Sequence, residues 1–152
     1  MTTTTTTTAT STTTTTTTTT TAQRCATGYT ETSNKCLRVF EGPANWLEAL
    51  VACTNERGSL ASIESAEEQQ IVEDNAADGA WIGLNDILNE GTATWVNGAS
   101  VGFTNWRNNQ PNNGGMGQHC VWVRSQSQAD PGTWDDVVCN RDLPYVCQTS
   151  IN

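Results

Sequence analysis

Hydrophobic and polar positions divide this chain into a featureless start, a helical middle and a strand-rich end. Residues 2–21 are threonine except for Ala9 and Ser11, so no period gathers apolar side chains on one face. Beyond them, residues 29–40, with Cys36 inside, read as a pair of short strands. A helix follows. Asn45 caps it, Glu48 stands three residues on, and Trp46, Leu47, Leu50 and Val51 form an apolar stripe as far as Cys53. Gly58 and Ser59 break the chain. Ser65-Ala66-Glu67-Glu68 then has the form of a capping box, opening a second helix through Ile71 and Val72 to about Ala76.

From Trp81 onward the pattern changes. Trp81-Ile82-Gly83-Leu84 and Thr94-Trp95-Val96 predict short buried strands. Residues 98–117 are rich in Asn and Gly with few aliphatics, which predicts a long irregular loop. Loops of that length inside compact domains are usually functional. Strands return over residues 120–123, 134–139 and 143–147. Two helices early and short antiparallel strands late give an α+β domain.

Composition sharpens this. Residues 1–22 form a threonine-rich tract that cannot collapse, and a run of β-branched residues favours extended backbone. Its hydroxyls are natural O-glycan acceptors in a secreted, mucin-like stalk. The candidates are Thr2, Thr3, Thr4, Thr5, Thr6, Thr7, Thr8, Thr10, Ser11, Thr12, Thr13, Thr14, Thr15, Thr16, Thr17, Thr18, Thr19, Thr20 and Thr21. Residues 23–152 suffice for one compact domain and not for two.

The formal charge of −9 argues against nucleic acid or an anionic membrane as partner and suits a protein that meets cations. No apolar run is long enough to span a bilayer. No secretion signal follows Met1, so the compartment is read from the cysteines instead. Cys25, Cys36, Cys53, Cys120, Cys139 and Cys147 are an even, widely spaced set without a C-x-x-C pair. That reads as three disulfides in a secreted, extracellular domain, with fifteen pairings open. A single histidine, His119, supports neither a zinc site nor a catalytic centre and reads as a surface residue. Nothing places a nucleophile, base and orienting acid together, so the chain reads as a non-enzyme. Six tryptophans supply large anchors for the core.

These features together resemble the C-type lectin-like domain. The resemblance covers residues 25–148 and rests on Trp46-Leu47-Glu48-Ala49 leading to Cys53, Gly58-Ser59-Leu60-Ala61-Ser62-Ile63, and Trp81-Ile82-Gly83-Leu84. It continues with Phe103-Thr104-Asn105-Trp106, Gln110-Pro111-Asn112, Cys120, Trp134-Asp135-Asp136, Cys139 and Cys147. The resemblance implies a C-type lectin-like fold of two helices, short antiparallel sheets and a calcium-site loop. It also implies three bonds: Cys53 with Cys147, Cys120 with Cys139, and Cys25 with Cys36.

It further implies a calcium site made of Gln110, Asn112, Gln118, Asp135 and Asp136, with Pro111 in cis between the first two. Calcium takes six to eight oxygen ligands, which such side chains supply. A sugar would bind through two vicinal hydroxyls that join the ion and hydrogen-bond to Gln110, Asn112, Gln118 and Asp135. The chain departs from the family's Glu-Pro-Asn and Gln-Pro-Asp motifs, has Gln118 where glutamate is usual, and has Trp-Asp-Asp for Trp-Asn-Asp. Charge on the ion then rests on Asp135 and Asp136, and binding is expected to be weak, roughly 10⁻⁴ to 10⁻³ M. Gln118 with Asp135 keeps an acid and an amide for one hydroxyl, whereas Gln110 with Asn112 offers two amides, so the pattern assigns no particular sugar. An auxiliary ion would fall to Asp86, Glu90 and Asn113, with Gln118 between the sites; a solvated acidic loop is the plainer reading.

Trp106 and Trp122 could stack on a sugar ring, although buried anchors are the commoner role for tryptophan. The leading expectation is a secreted, calcium-dependent module for a carbohydrate or glycoprotein ligand. The alternative is a structural or adhesive subunit whose threonine tract joins copies of the chain by strand addition inside a glycan coat. Ice binding, known for this fold, suits surface threonines but not a run that alternates faces.

Overall fold

The computed structural model describes residues 24–152; the threonine tract and its acceptor residues lie outside them. In order along the chain are β1 (Thr30–Glu31), β2 (Lys35–Ala44), α1 (Trp46–Asn55), β3 (Ser59–Leu60), α2 (Ala66–Asn75), β4 (Ala80–Asn85), β5 (Thr94–Trp95), β6 (Gln118–Val123), β7 (Trp134–Val138) and β8 (Leu143–Ser150). The sheet runs β1-β2-β8-β4-β6-β7, with β3 on β8 and β5 on β4. This is a C-type lectin fold: two helices, a sheet and three disulfides.

Alternation along the strands sorts the core onto two sides of this sheet. Ala61, Ile82, Val121, Val123 and Val146 join Ile63, Val72 and Trp134 in the cluster under α2. Their chain neighbours Leu60, Trp81, Trp122 and Cys147 join Trp46, Ala49 and Cys53 under α1. Three indoles are satisfied across the layers: Trp46 Nε1 donates to Ile82 O (3.0 Å), Trp81 Nε1 to Ala44 O (2.9 Å) and Trp134 Nε1 to Gln69 Oε1 (2.8 Å), while those of Trp95 and Trp122 are buried without an acceptor among the described residues. The bonds Cys25–Cys36, Cys53–Cys147 and Cys120–Cys139 leave no cysteine free.

Three local expectations are corrected. At α1 the capping box is complete, with Asn45 and Glu48 exchanging bonds. At α2 only half forms. Ser65 Oγ accepts the Glu68 N–H, but the Glu68 carboxylate takes the Glu64 N–H (2.6 Å) and Lys35 Nζ (3.1 Å) instead. A charge-assisted bond to the buried ammonium draws the carboxylate past the N-cap to the N–H before it. Second, the chain does not simply break at Ser59: Ser59 and Leu60 pair with Gln148 and Cys147 as β3. Gly58 allows this, because a Cβ there would overlap Gln148 O. Third, the pairing is not wholly antiparallel, since Trp81 meets Tyr145 in parallel where β4 and β8 adjoin.

Candidate functional site

The loop between β5 and β6 is anchored by aromatic packing. Trp134 on β7 receives Trp95, Phe103 and Trp106 edge-on, at centroid distances of 5.6, 5.9 and 5.8 Å. Backbone bonds fix the register: Trp134 N–H donates to Asn105 O (2.8 Å) and Arg107 N–H to Trp134 O (2.9 Å). Of the two stacking candidates, Trp122 is buried beneath the Arg141 guanidinium and so withdrawn from ligands. Trp106 is half-buried on the loop side.

Beyond Trp106 the loop folds over β7. The Gln110–Pro111 bond is cis. The Asp136 carboxylate accepts the Asn112 N–H (3.1 Å) on Oδ1 and the Asn113 N–H (2.7 Å) on Oδ2. Asn112 Oδ1 accepts the Gly114 N–H (2.8 Å), and Gln118 Oε1 lies on the same side, since a Cβ added at Gly114 would sit 2.8 Å from it and 3.2 Å from Asn112 Oδ1. Gln110 Oε1 is buried with no donor facing it among the described residues. An unpartnered buried acceptor carries a desolvation cost that a cation or a donor would relieve. Asp136 thus holds the backbone of a loop rich in side-chain acceptors.

Asp135 is elsewhere. It pairs across the ladder with Trp122, and its Oδ2 accepts from Arg124 Nη1 at 2.7 Å. Successive strand residues point to opposite faces, so Asp136 meets the loop while Asp135 turns away from it. Asn113, assigned to an auxiliary ion, instead uses Oδ1 on the N–H groups of Gly117 (2.8 Å) and Gln118 (3.0 Å).

The other two auxiliary residues converge on His119, which sequence reading placed as an isolated surface side chain. Its Nδ1 lies 3.0 Å from both Asp86 Oδ1 and Glu90 Oε2. The Asp86 N–H donates to His119 O (3.1 Å), and Asp86 Oδ2 accepts the Gly91 N–H (2.9 Å), which orients the carboxylate. The only local hints were the four-residue spacing of Asp86 and Glu90 and the place of His119 beside Gln118. An imidazole here answers two carboxylates with an internal donor.

Around Asp86, Trp106, Pro111, His119, Val121 and Asp136 the concavity is about 20 Å³, room for little more than one water. Larger hollows, of about 260 and 320 Å³, lie off the loop. They adjoin α2 with the β1–β2 hairpin, and Lys35 with Gln148, respectively. The loop therefore encloses no cavity of ligand size.

Among the described residues no helix is long and apolar enough to cross a membrane. The family profile for the lectin C-type domain matches residues 42–149. The low affinity immunoglobulin epsilon Fc receptors of Mus musculus and Homo sapiens are 36% and 34% identical to this chain, over 82% and 81% of it. The chain spans 37% of the length of either receptor. Among solved structures, the carbohydrate-recognition domain of cow CD23, determined with a GlcNAc2Man3 oligosaccharide, superposes with a TM-score of 0.77 at 32% identity. That match covers 84% of this chain and 97% of the other. A calcium-independent type II antifreeze protein superposes equally well, at a TM-score of 0.77 and 28% identity, covering 84% of this chain and 95% of its own. The lectin CEL-I of Cucumaria echinata gives 0.75 at 28% identity, covering 85% and 99%. The chain belongs to the C-type lectin domain family.

Proposed function

We propose that this domain binds carbohydrate on the open face of the loop, through a weakly held calcium ion. The observation that carries the reading is the set of side-chain oxygens on the loop that Asp136 holds: Gln110 Oε1 is buried without a donor, and the Asn112 and Gln118 amide oxygens both approach Gly114. The donors fit calcium in kind, since all are oxygens and calcium prefers hard ligands at high coordination number. They fit poorly in charge. Asp136, on β7, is the carboxylate that holds the loop, and Asp135 faces away with its Oδ2 taken by Arg124. Affinity of roughly 10⁻⁴ to 10⁻³ M suits an extracellular module so equipped.

Calcium, when bound, supplies a Lewis-acidic centre for a pair of sugar hydroxyls. The chain's own part is to orient those hydroxyls: amide oxygens of Asn112 and Gln118 accept their protons, and amide NH₂ groups donate back. Likeness to the CD23 domain determined with an oligosaccharide supports the ligand class, and three disulfides support an extracellular setting. The threonine tract belongs to the same reading as an O-glycosylated stalk.

A second reading, a structural or adhesive scaffold with a silent site, is favoured by the Arg124–Asp135 pair and by likeness to a calcium-independent antifreeze protein. One experiment separates the two. The full chain is melted across a calcium titration with a chelator control, then passed over immobilised mannose-type and galactose-type glycans with and without calcium. A saturable rise in melting temperature with chelator-reversible retention is expected. No shift into the tens of millimolar calcium, together with no retention, leaves the scaffold reading.

A further inference from the structure

Asp86, Glu90 and His119 bring three donor atoms together outside the loop that Asp136 holds. The imidazole Nδ1 lies 3.0 Å from Asp86 Oδ1 and 3.0 Å from Glu90 Oε2, and the three atoms all fall within 4.8 Å of one another. Bonds of about 2.0–2.2 Å to nitrogen and oxygen put neighbouring ligands of a zinc ion about 3.0–3.4 Å apart, so these spacings suit a metal shell. They are hydrogen-bond spacings as well, but Nδ1 carries at most one proton, which cannot serve both carboxylates in full. A divalent ion in that proton's place meets all three donors and offsets two converging negative charges.

From this we infer that Asp86, Glu90 and His119 form a zinc site that pins the β4–β5 connection to the start of β6, independently of the calcium reading above. The imidazole decides the metal: calcium takes oxygen ligands, whereas nitrogen beside carboxylates suits zinc. Asp86 is set for its part. Its Oδ2 accepts the Gly91 N–H (2.9 Å) and its own N–H donates to His119 O (3.1 Å), which leaves Oδ1 facing the imidazole. Outer bonds of this kind orient metal ligands. Side-chain exposure rises from 12% at Asp86 through 36% at His119 to 50% at Glu90, so the ion's path to solvent is on the Glu90 side. The hollow of about 20 Å³ beside Asp86, Gly91 and His119 has room for one water, the fourth ligand of an open zinc site. A lone histidine carries no zinc spacing in the sequence; the fold brings its partners from the β4–β5 connection.

The test is calorimetric titration of zinc chloride into the untagged full chain, with proton NMR following the ring of His119. That ring is the chain's only imidazole and no cysteine is free, so side-chain nitrogen or thiolate ligation of another origin does not confuse the result. One zinc per chain is expected, with the His119 ring signals moving in step. His119→Ala should weaken binding by about tenfold or more, and Glu90→Gln should weaken it as well. Calcium at equal concentration should leave the zinc isotherm unchanged. The metal-free melting temperature of each variant reports folding. Should His119→Ala melt early, Glu90→Gln carries the test, since that side chain is half-exposed. Zinc binding undiminished in the folded variant is held elsewhere on the acidic surface and overturns the inference. So does a ring spectrum indifferent to zinc, or displacement of the ion by an equal concentration of calcium. Either failure leaves the calcium-held sugar reading untouched.

Discussion

At the scale of single residues, Asp136 joins fold and site. Its two oxygens order the loop by taking the N–H groups of Asn112 and Asn113, and they bring a negative charge to a segment that has no carboxylate of its own. Asp136→Asn replaces an oxygen by an NH₂ that cannot accept, leaving a backbone donor unpaired at a cost of about 1–3 kcal/mol. The expected result is a lower melting temperature and loss of any calcium response. Hydrogen exchange should show the loss of protection confined to residues 112–113 and their neighbours. Glu64 offers a prediction in pH. Hydrogen bonds from Lys35 and then Ser62 hold its carboxyl below the ordinary 4.5. A depressed folded value means its stabilisation is present above the unfolded value and fades as pH falls through the folded one. Glu64→Gln should therefore flatten the acid limb of a pH-melting profile below about pH 4.5, modestly, since the side chain is partly in water. An unchanged acid limb would contradict this. The identity of the loop residues was legible in the sequence because Gln-Pro-Asn and Trp-Asp-Asp are local strings. The fate of Asp135 was not, because Arg124 stands eleven positions away and reaches it only through the β6–β7 hairpin.

Secondary structure was legible wherever local signals agree with tertiary demand. α1 begins at its cap and carries its box, and the segment over residues 81–84 forms the middle of β4. The failures share one cause, which is a distant partner. Glu68 abandons the box for Lys35, thirty-three positions away. Ser59 and Leu60 become a strand only because β8 lies alongside. His119 gains its carboxylates from the β4–β5 loop. Gly58 shows how narrow such a fit is. Gly58→Ala must push β3 away from Gln148, and a backbone clash of that kind is expected to cost about 2–4 kcal/mol, measured by denaturant unfolding. A near-neutral result would mean that β3 can leave β8 without consequence.

For the molecule as a whole, a small core is shared between two sides of one sheet and stapled at both ends of the chain. Cys53–Cys147 spans 94 positions and ties α1 to the last strand. Closing a loop of that length contributes about 4 kcal/mol or more. The Cys53→Ala/Cys147→Ala pair should lower the melting temperature by about 10 °C or more, read by calorimetry under non-reducing conditions. Placing this bond in the sequence depended on family resemblance, since spacing alone left every pairing open. The acidic balance of −9 is in keeping with a partner cation and gives no help in choosing its seat. That choice belongs to the loop. The most direct measurement of the central claim is retention of the full chain on immobilised glycans in calcium and its release by chelator, run beside Asp136→Asn. Calcium-dependent retention that Asp136→Asn abolishes is the result expected here. Retention indifferent to chelator, or unaltered in Asp136→Asn, would contradict a calcium-held sugar site.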